Sequence, residues 1–170
     1  FKSDKKRNIA VARAGNVIGG GDWSDDRLIP DCVKSWSNHK KVLIRNPKST
    51  RPWQHVLEAL RGYLILALRL YNDNKLHGEP FNFGPKNSQN QDVITLVKQM
   101  KKNWDKVKWK EVKKQNNLFE AKLLKLNSLK AKNRMNWKPI LNFTETIKLT
   151  TEWKKNKNEN KKNISEFSIK

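Results

Sequence analysis

Two arginines flank a stiff loop in the first third of the chain, and together they could bind an anion. The residues between Arg45 and Arg51 include Pro47, and Pro52 follows directly. Because proline restricts φ and resists regular structure, we expect this loop to be ordered. Two guanidinium groups on an ordered loop suit a diphosphate or a carboxylate. The alternative is a surface loop with two solvated arginines, which the spacing alone does not exclude.

A glycine-rich segment near the start of the chain could contribute to the same kind of site. Residues 9–15 form an apolar run that predicts a short, mostly buried strand, and residues 19–21 are all glycine. Asn16 lies between them, at the carboxyl end of the strand, where open α/β sheets bind their ligands. Its side-chain amide could donate to such a ligand or simply cap the strand end. The segment lacks the GxGxxG pattern that opens a dinucleotide-binding helix.

The elements that must position these residues alternate between strands and helices, which predicts an α/β fold. Helical spacing of Ile29, Val33 and Trp36 predicts a helix, and a second helix is expected over residues 56–71. That second helix is apolar on more than one face, so we expect it to pack between two layers. The remaining predicted elements are strands at 42–45, 81–85 and 107–112, a helix capped by Asp92, a helix from Ser128 to Met135, and a last helix beginning at Asn142 or Thr144.

The composition bounds the possible partners. The chain has 170 residues and a formal net charge of +21, so a nucleic acid or an anionic membrane must be considered. However, the lysines are spread along the chain and mixed with asparagines, and no nucleic-acid-binding motif stands out. We therefore expect no specific nucleic acid and no membrane partner, and a basic nucleic-acid-binding module remains the alternative from a different class. Residues 154–170, rich in Lys and Asn, are predicted to be a disordered tail.

The cysteine and the histidines do not indicate catalysis. The single cysteine, Cys32, lies in an apolar helical context and is expected to be a buried small hydrophobe. His39, His55 and His77 are scattered and predict no metal site. We expect His55 to be a hydrogen-bonded structural histidine at a strand end. One cysteine and no apolar run of transmembrane length favour a cytoplasmic setting.

Several motifs in one order resemble a known family. They are residues 13–23 (RAGNVIGGGDW), 26–31 (DRLIPD), 45–58 (RNPKSTRPWQHVLE), 81–85 (FNFGP), 120–131 (EAKLLKLNSLKA) and 136–139 (NWKP). This pattern resembles the C-terminal half of the extended short-chain dehydrogenase/reductase family, which contains the nucleotide-sugar epimerases and dehydratases. The resemblance implies the C-terminal, substrate-binding portion of a Rossmann-type fold over residues 1–153. The chain also opens like an internal segment, so we expect the dinucleotide-binding part to lie outside it.

The resemblance implies roles for residues in the first two motifs. Asn16 would contact the sugar-phosphate end of the substrate, and Val17 and Ile18 would face the nicotinamide of a bound NAD, although core packing would explain both side chains equally well. The nucleotide-contacting segment would line a cytidine pocket through its residues Arg27, Leu28 and Ile29.

The later motifs would complete the substrate site. Arg51 would bind the diphosphate, and Glu120 would accept from the ribose hydroxyls unless it is only a surface carboxylate. For Arg45, a contact with the base or the ribose competes with a plain salt bridge. The family pattern has a histidine where Phe119 stands and an aspartate at Asn127, so the resemblance does not extend to a polar nucleotide contact at Phe119.

The implied reaction is the NAD-dependent loss of water from a nucleotide sugar, and the segment around Arg51 is most similar to family members that act on CDP-glucose. Another nucleotide-sugar dehydratase or an epimerase is the alternative within the family. Tyr71 and Lys75 match a Tyr-x-x-x-Lys spacing, but they end an apolar helix after the sugar-binding motifs, so we interpret the match as chance. We expect no catalytic residue within this chain, which alone would be inactive, and a homo-oligomer for the complete protein.

Overall fold

The first pair of strands and the longest apolar helix form one crossover unit. The structure is a computed structural model that describes residues 8–86, 90–112 and 125–160. Strand β1 (Val11–Ala14) pairs in parallel with β6 (Pro80–Phe83). The chain passes between them through α2 (Val56–Asn72), which is the kind of connection that parallel strands require. The predicted α/β class is confirmed.

Shorter strand pairs surround this unit. They are β2 (Asn16–Ile18) parallel to β5 (Trp53–His55), β3 (Val42–Ile44) parallel to β8 (Trp109–Glu111), and β4 (Thr50–Arg51) antiparallel to β7 (Gln91–Asp92). The strands expected over 42–45 and 107–112 are present. The β4–β7 pair is not predicted by the sequence, because two-residue strands carry no periodicity and their partners are far apart along the chain.

The helices agree well with their predicted positions. Besides α2 they are α1 (Leu28–Ser37), α3 (Val93–Lys101), α4 (Leu129–Met135) and α5 (Phe143–Asn160), with one 3₁₀ turn at Asn74–Leu76. Asp92 caps α3, because its Oδ1 accepts from the Thr95 amide at 2.8 Å. None of the helices in these described residues is long and apolar enough to cross a bilayer.

The two late helices begin with different caps. At α5, Asn142 Oδ1 accepts from the Glu145 amide at 2.9 Å, and Glu145 Oε2 accepts from the Asn142 amide at 2.7 Å. This reciprocal pair is a capping box, and it selects Asn142 over Thr144 as the start. At α4 the expected Ser128 cap is wrong: its side chain makes no cap bond, and Asn127 Oδ1 accepts from the Leu129 amide at 2.9 Å instead.

The buried apolar side chains form two clusters. The tryptophan core consists of Ile18, Ile29, Cys32, Val33, Trp36, Val42, Ile44, Trp53, Leu96, Val97, Met100, Trp104, Val107 and Ile147. The α2 core consists of Leu66, Leu76, Phe81, Phe83, Ala131, Met135 and Trp137. The tryptophan core lies beneath α1, α3 and the start of α5, whereas the α2 core lies between α2, β6 and α4.

Two predictions of burial are wrong for this chain. Strand β1 is largely exposed, with Val11 at 42% of its accessible surface, because pairing with β6 along one edge leaves the side chains on the faces of the strand uncovered. Helix α2 is covered on one face only: Leu66 is buried, but Leu64 and Leu68 are 72% and 62% exposed. The apolar pattern correctly marks the faces of α2, but a pattern does not say what lies opposite each face.

The predicted boundary of the tail is also wrong. Helix α5 continues to Asn160, so residues 154–160 are helical, and residues 161–170 lie outside the described residues. The buried face of this helix is mostly polar, with Thr146, Thr150, Thr151 and Lys154 all buried. Residues 154–160 contain no apolar residue, so a search for apolar spacing ends the helix too early.

A buried carboxylate fixes the path of the chain into α5. Glu58, in the first turn of α2, is 4% exposed. Its Oε1 accepts from the main-chain amides of Ile140 and Leu141 at 2.8 and 2.7 Å, and its Oε2 pairs with Arg61 at 3.2 Å. A buried charge is tolerated when it is paired and hydrogen-bonded, and here it joins α2 to the turn that precedes α5.

Candidate functional site

One open cleft of about 1010 Å³ collects most of the residues that the sequence singled out. It lies where β1 ends and α1 begins, beside β3 and β4. Its lining consists of Ala14, Gly15, Asn16, Val17, Ile18, Asp22, Asp26, Arg27, Leu28, Ile29, Pro30, Asp31, Val42, Leu43, Ile44, Arg45, Asn46, Arg51, Pro52, Trp53, Val93, Lys125 and Leu126. Every predicted site residue within the described part of the chain is among them. Glu120 lies outside the described residues.

The loop between the two arginines is held at both ends. The Ser49 amide donates to the Asn46 carbonyl at 3.2 Å, which closes the turn after β3. The carbonyl of Ser49 accepts from the Val93 amide at 3.1 Å, and that of Pro47 accepts from the Ile94 amide at 3.0 Å. These contacts with the start of α3 confirm that the loop is ordered, as the prolines predict.

The two arginines differ in their surroundings. Arg51 is half-buried in β4, and its Nη1 donates to the Thr50 carbonyl at 2.9 Å. Arg45 follows β3 and is exposed, and it forms no ion pair within the described residues. A partly desolvated guanidinium interacts more strongly with an anion than a solvated one does. Arg51 is therefore the better placed of the two for a diphosphate, and Arg45 lies at the rim.

Asn16 begins a second short strand directly after β1. The sequence places it at the end of a strand, but the structure adds β2, in which Asn16 lies opposite Trp53 of β5. Val17 is half-buried and lines the cleft, whereas Ile18 is only 6% exposed and belongs to the tryptophan core. Ile18 thus fits the core-packing interpretation and Val17 lines the cleft, while contact with a nicotinamide stays a prediction for both residues.

The start of α1 forms the opposite wall. Arg27 is the N-cap residue of α1, and its Nη1 lies 3.9 Å from Oδ2 of Asp22. Leu28 is half-buried against the tryptophan core and Ile29 is buried within it. The main chains of these residues are thus fixed by the core, while the Arg27 side chain remains 63% exposed over the cleft.

Sequence reasoning missed the acidic residues of this wall. Asp22, Asp26 and Asp31 all line the cleft, and Asp26 has a positive φ of 59°. They lie close to Arg27 in the sequence, and a charge count along residues 22–31 could have revealed the mixed character of the wall. Lys125 and Leu126 extend the lining from the late motif, whose backbone is tied to β6 by a 3.2 Å bond from Asn82 Nδ2 to the Asn127 carbonyl.

The cysteine and the histidine of interest are structural. Cys32 is fully buried, and burial raises the pKa of its thiol to about 12, so it stays protonated. His55 caps α2 by accepting from the Leu57 amide at 3.3 Å through Nδ1, and burial lowers its pKa. The expectation of a structural histidine at a strand end is confirmed. The described residues also contain no cluster of His, Cys, Asp and Glu suited to a metal ion.

A lysine from α5 reaches the back of the glycine segment. Lys154 is fully buried, and its Nζ donates to the main-chain carbonyl of Asp22. Burial lowers the pKa of this ammonium group to about 8. The sequence gives one usable signal for it, because Ile147, Thr151 and Lys154 have the i, i+4, i+7 spacing of one helix face.

Comparison with known proteins shows what this chain resembles in fold and sequence. A scan against models of known protein families finds no match. Among solved structures, UDP-glucuronic acid 4-epimerase of Bacillus cereus has a TM-score of 0.72 at 19% identity, over 87% of this chain and 45% of its own. The dTDP-glucose 4,6-dehydratase of Bacillus anthracis has a TM-score of 0.65 at 23% identity, over 88% and 45%. Identities this low establish the shared fold.

A curated protein makes the relationship more specific. The chain is 45% identical over 148 residues to CDP-glucose 4,6-dehydratase of Salmonella typhimurium, which is 86% of this chain and 41% of that protein. The chain therefore spans less than half the length of the relatives that it matches. The sequence relationship and the shared fold together confirm the resemblance to the NAD-dependent epimerases and dehydratases of the extended short-chain dehydrogenase/reductase family.

Proposed function

We propose that this chain is the nucleotide-sugar-binding part of a CDP-glucose 4,6-dehydratase, an enzyme that converts CDP-glucose to CDP-4-dehydro-6-deoxyglucose and water. One observation carries the proposal: four motifs that are spread between residues 13 and 131 contribute residues to one cleft, and they do so in a chain that is 45% identical to such an enzyme. Surface residues without a common function have no reason to converge in this way.

The two arginines act on the diphosphate side of the cleft. Arg51 binds a phosphate oxygen through charge-assisted hydrogen bonds, which are shorter and stronger than neutral ones. Its half-buried position limits competition from water. Arg45 contacts the ribose or the base from the rim, and Asn16 donates its amide to the sugar-phosphate end. Glu120, which lies outside the described residues, accepts from the ribose hydroxyls.

The start of α1 forms the cytidine pocket. Leu28 and Ile29 present a backbone held by the tryptophan core, and Arg27 adds a donor that lies 3.9 Å from the Asp22 carboxylate. A wall that is fixed before binding loses little entropy when the ligand arrives, which favours affinity. This chain's contribution to catalysis is therefore positioning: it holds the sugar so that its reacting carbons meet the groups that act on them.

The described residues offer one apolar contact for the nicotinamide of NAD, but they do not form the main binding site of the dinucleotide. Val17 is an apolar, half-buried residue of the cleft and suits contact with a nicotinamide ring. Gly19 and Gly20 pack against the protein and leave no room for a dinucleotide, because a Cβ on Gly19 would lie 2.7 Å from Val56 Cγ1 and one on Gly20 would lie 2.5 Å from the Trp153 ring. NAD supplies reversible hydride transfer in this reaction, and its phosphates are held by residues outside this chain.

The outer face of α2 fits the same arrangement. Within the described residues, its exposed leucines and one edge of β1 are both left uncovered, and we infer that the dinucleotide-binding part of the complete protein covers them. That part would add a parallel strand beside β1 and a layer over α2.

Calorimetric titration of CDP-glucose into the complete protein that carries this chain tests the proposal. Arg51→Ala should raise Kd about ten- to a hundredfold, because a hydrogen bond to a charged group contributes about 1.5–3 kcal/mol. Arg69→Ala is the matched control, since Arg69 is exposed at the end of α2 and does not line the cleft. Equal affinity of the wild type and Arg51→Ala would contradict the assignment of the diphosphate to Arg51.

The reaction itself is tested by product analysis. Incubation with CDP-glucose should yield a 4-keto-6-deoxy sugar, whereas a product with the configuration at C4 inverted would identify an epimerase instead. A wild-type protein that prefers UDP-glucose to CDP-glucose would contradict the cytidine assignment while leaving the nucleotide-sugar site in place.

A further inference from the structure

The most buried charged group of the described residues lies at the far side of the cleft wall. Lys154 of α5 is fully buried, and its Nζ lies 3.9 Å from the centroid of the Trp23 ring and 5.5 Å from that of Trp153. Its hydrogen-bond acceptor is the main-chain carbonyl of Asp22. Burying an ammonium group is costly, and the Asp22 carbonyl and the two indole rings offset part of that cost.

The glycine segment and the end of α5 fit closely around this lysine. Gly20 packs on Trp153 so tightly that an added Cβ would lie 2.5 Å from the ring. The rings of Trp23 and Trp153 are 6.2 Å apart, and Lys157 Nζ lies 4.8 Å from the Trp23 centroid. We call this arrangement the loop–helix clasp; it consists of Gly20, Asp22, Trp23, Trp153, Lys154 and Lys157.

The clasp is connected to the cleft through a single residue. The carbonyl of Asp22 accepts from Lys154, on the side of α5. Its carboxylate lies on the cleft side, where Oδ2 is 3.9 Å from Arg27 Nη1 and Oδ1 accepts from the Ser24 amide at 3.1 Å. A shift of the Asp22 backbone would therefore move the carboxylate that lies beside the Arg27 guanidinium group.

We propose that Lys154 is a positioning residue for the nucleotide end of the cleft: it holds the Asp22 backbone, and Asp22 in turn directs the Arg27 guanidinium toward the ligand. The ligand's identity in this inference rests on the proposed function. The role belongs to a helix that makes no contact with the cleft itself, since no α5 residue is among the lining residues.

Hydrogen–deuterium exchange and calorimetry on two matched variants test the inference. In Lys154→Met, the amides of residues 20–24 should exchange faster, and Kd for CDP-glucose should rise about tenfold, equivalent to about 1.4 kcal/mol. Lys155→Met carries the same substitution one residue further along α5, at a side chain that is not fully buried, and should leave both quantities unchanged. If Lys154→Met does not fold, Trp23→Leu removes the ring from the more exposed side of the clasp, where Trp23 is 38% exposed, and should give the same effects more weakly.

A double-mutant cycle separates positioning from plain stability. If Lys154 acts through Arg27, Lys154→Met should have little further effect on Kd in an Arg27→Ala background, yet add its full effect in an Arg51→Ala background. An effect that persists in Arg27→Ala would overturn the inference, and so would an unchanged Kd in Lys154→Met. A wild-type protein that does not bind CDP-glucose would instead overturn the proposed function, whereas exchange in residues 20–24 would still report on the clasp.

Discussion

The tryptophan core and the outer face of α2 are built from equally apolar sequence but end in opposite environments. In the core, Trp36 and Trp104 are almost completely buried and meet edge to face with ring centroids 5.8 Å apart. On α2, Leu64 is 72% exposed although the helix is as apolar as any in the chain. The difference shows that a run of apolar residues identifies a face that another element could cover. Only the tertiary structure shows whether this chain contains that covering element.

Loss of a buried indole ring from the tryptophan core should have the largest effect on the free energy of unfolding. Trp36→Ala leaves a cavity in the tryptophan core and removes the 2.8 Å bond from Trp36 Nε1 to the Lys108 carbonyl. We expect the free energy of unfolding to fall by about 3–5 kcal/mol, measured by urea denaturation. A loss below about 1 kcal/mol would mean that this core is not enclosed, and the contrast between the two regions would disappear.

The buried ammonium group of Lys154 should have an intermediate effect on the free energy of unfolding, and this effect should depend on pH. Burial lowers the pKa of Lys154 from 10.5 to about 8, with Asp22 opposing and Lys157 reinforcing the shift. Below about pH 8 the ammonium group is charged in both the folded and the unfolded state, so its burial destabilises the fold. Between pH 8 and 10.5 the unfolded state binds more protons, so this destabilisation is relieved as the pH rises.

The measurement compares the free energies of unfolding of the wild type and Lys154→Met between pH 8 and 10.5. The free energy of unfolding of the wild type, relative to Lys154→Met, should increase by about 2 kcal/mol from pH 8 to 10.5. Taking the difference cancels the titration of the other lysines. A flat difference would show that the lysine is solvated, and a decreasing one would show that its contacts favour the charged form.

Substitution on the outer face of α2 should have the smallest effect. Leu64→Ser should change the free energy of unfolding of this chain by less than about 0.5 kcal/mol, because the side chain is already in water. Leu66→Ser on the same helix is the control: Leu66 is 4% exposed, and its loss should cost about 2–5 kcal/mol. Equal costs for the two substitutions would show that the outer face of α2 is covered in solution.

The same comparison explains which features the sequence could predict. Helices α1 and α2 are predictable because Ile29, Val33 and Trp36 repeat at helical spacing and because most of residues 56–71 are apolar. The cleft residues were accessible through their motifs. The β4–β7 pair and the burial of Lys154 were not, since both depend on contacts between residues far apart in the chain, and a lysine gives no local sign of being buried.

The fit of Gly20 against Trp153 also restricts how this protein can change over time. A side chain at position 20 has no room while the indole occupies its place, and a smaller residue at position 153 would leave a gap beside the cleft wall. A larger residue at position 20 therefore requires a smaller one at position 153, which couples the first and last parts of the described chain. Across related sequences, the size of residue 20 should vary inversely with the size of residue 153.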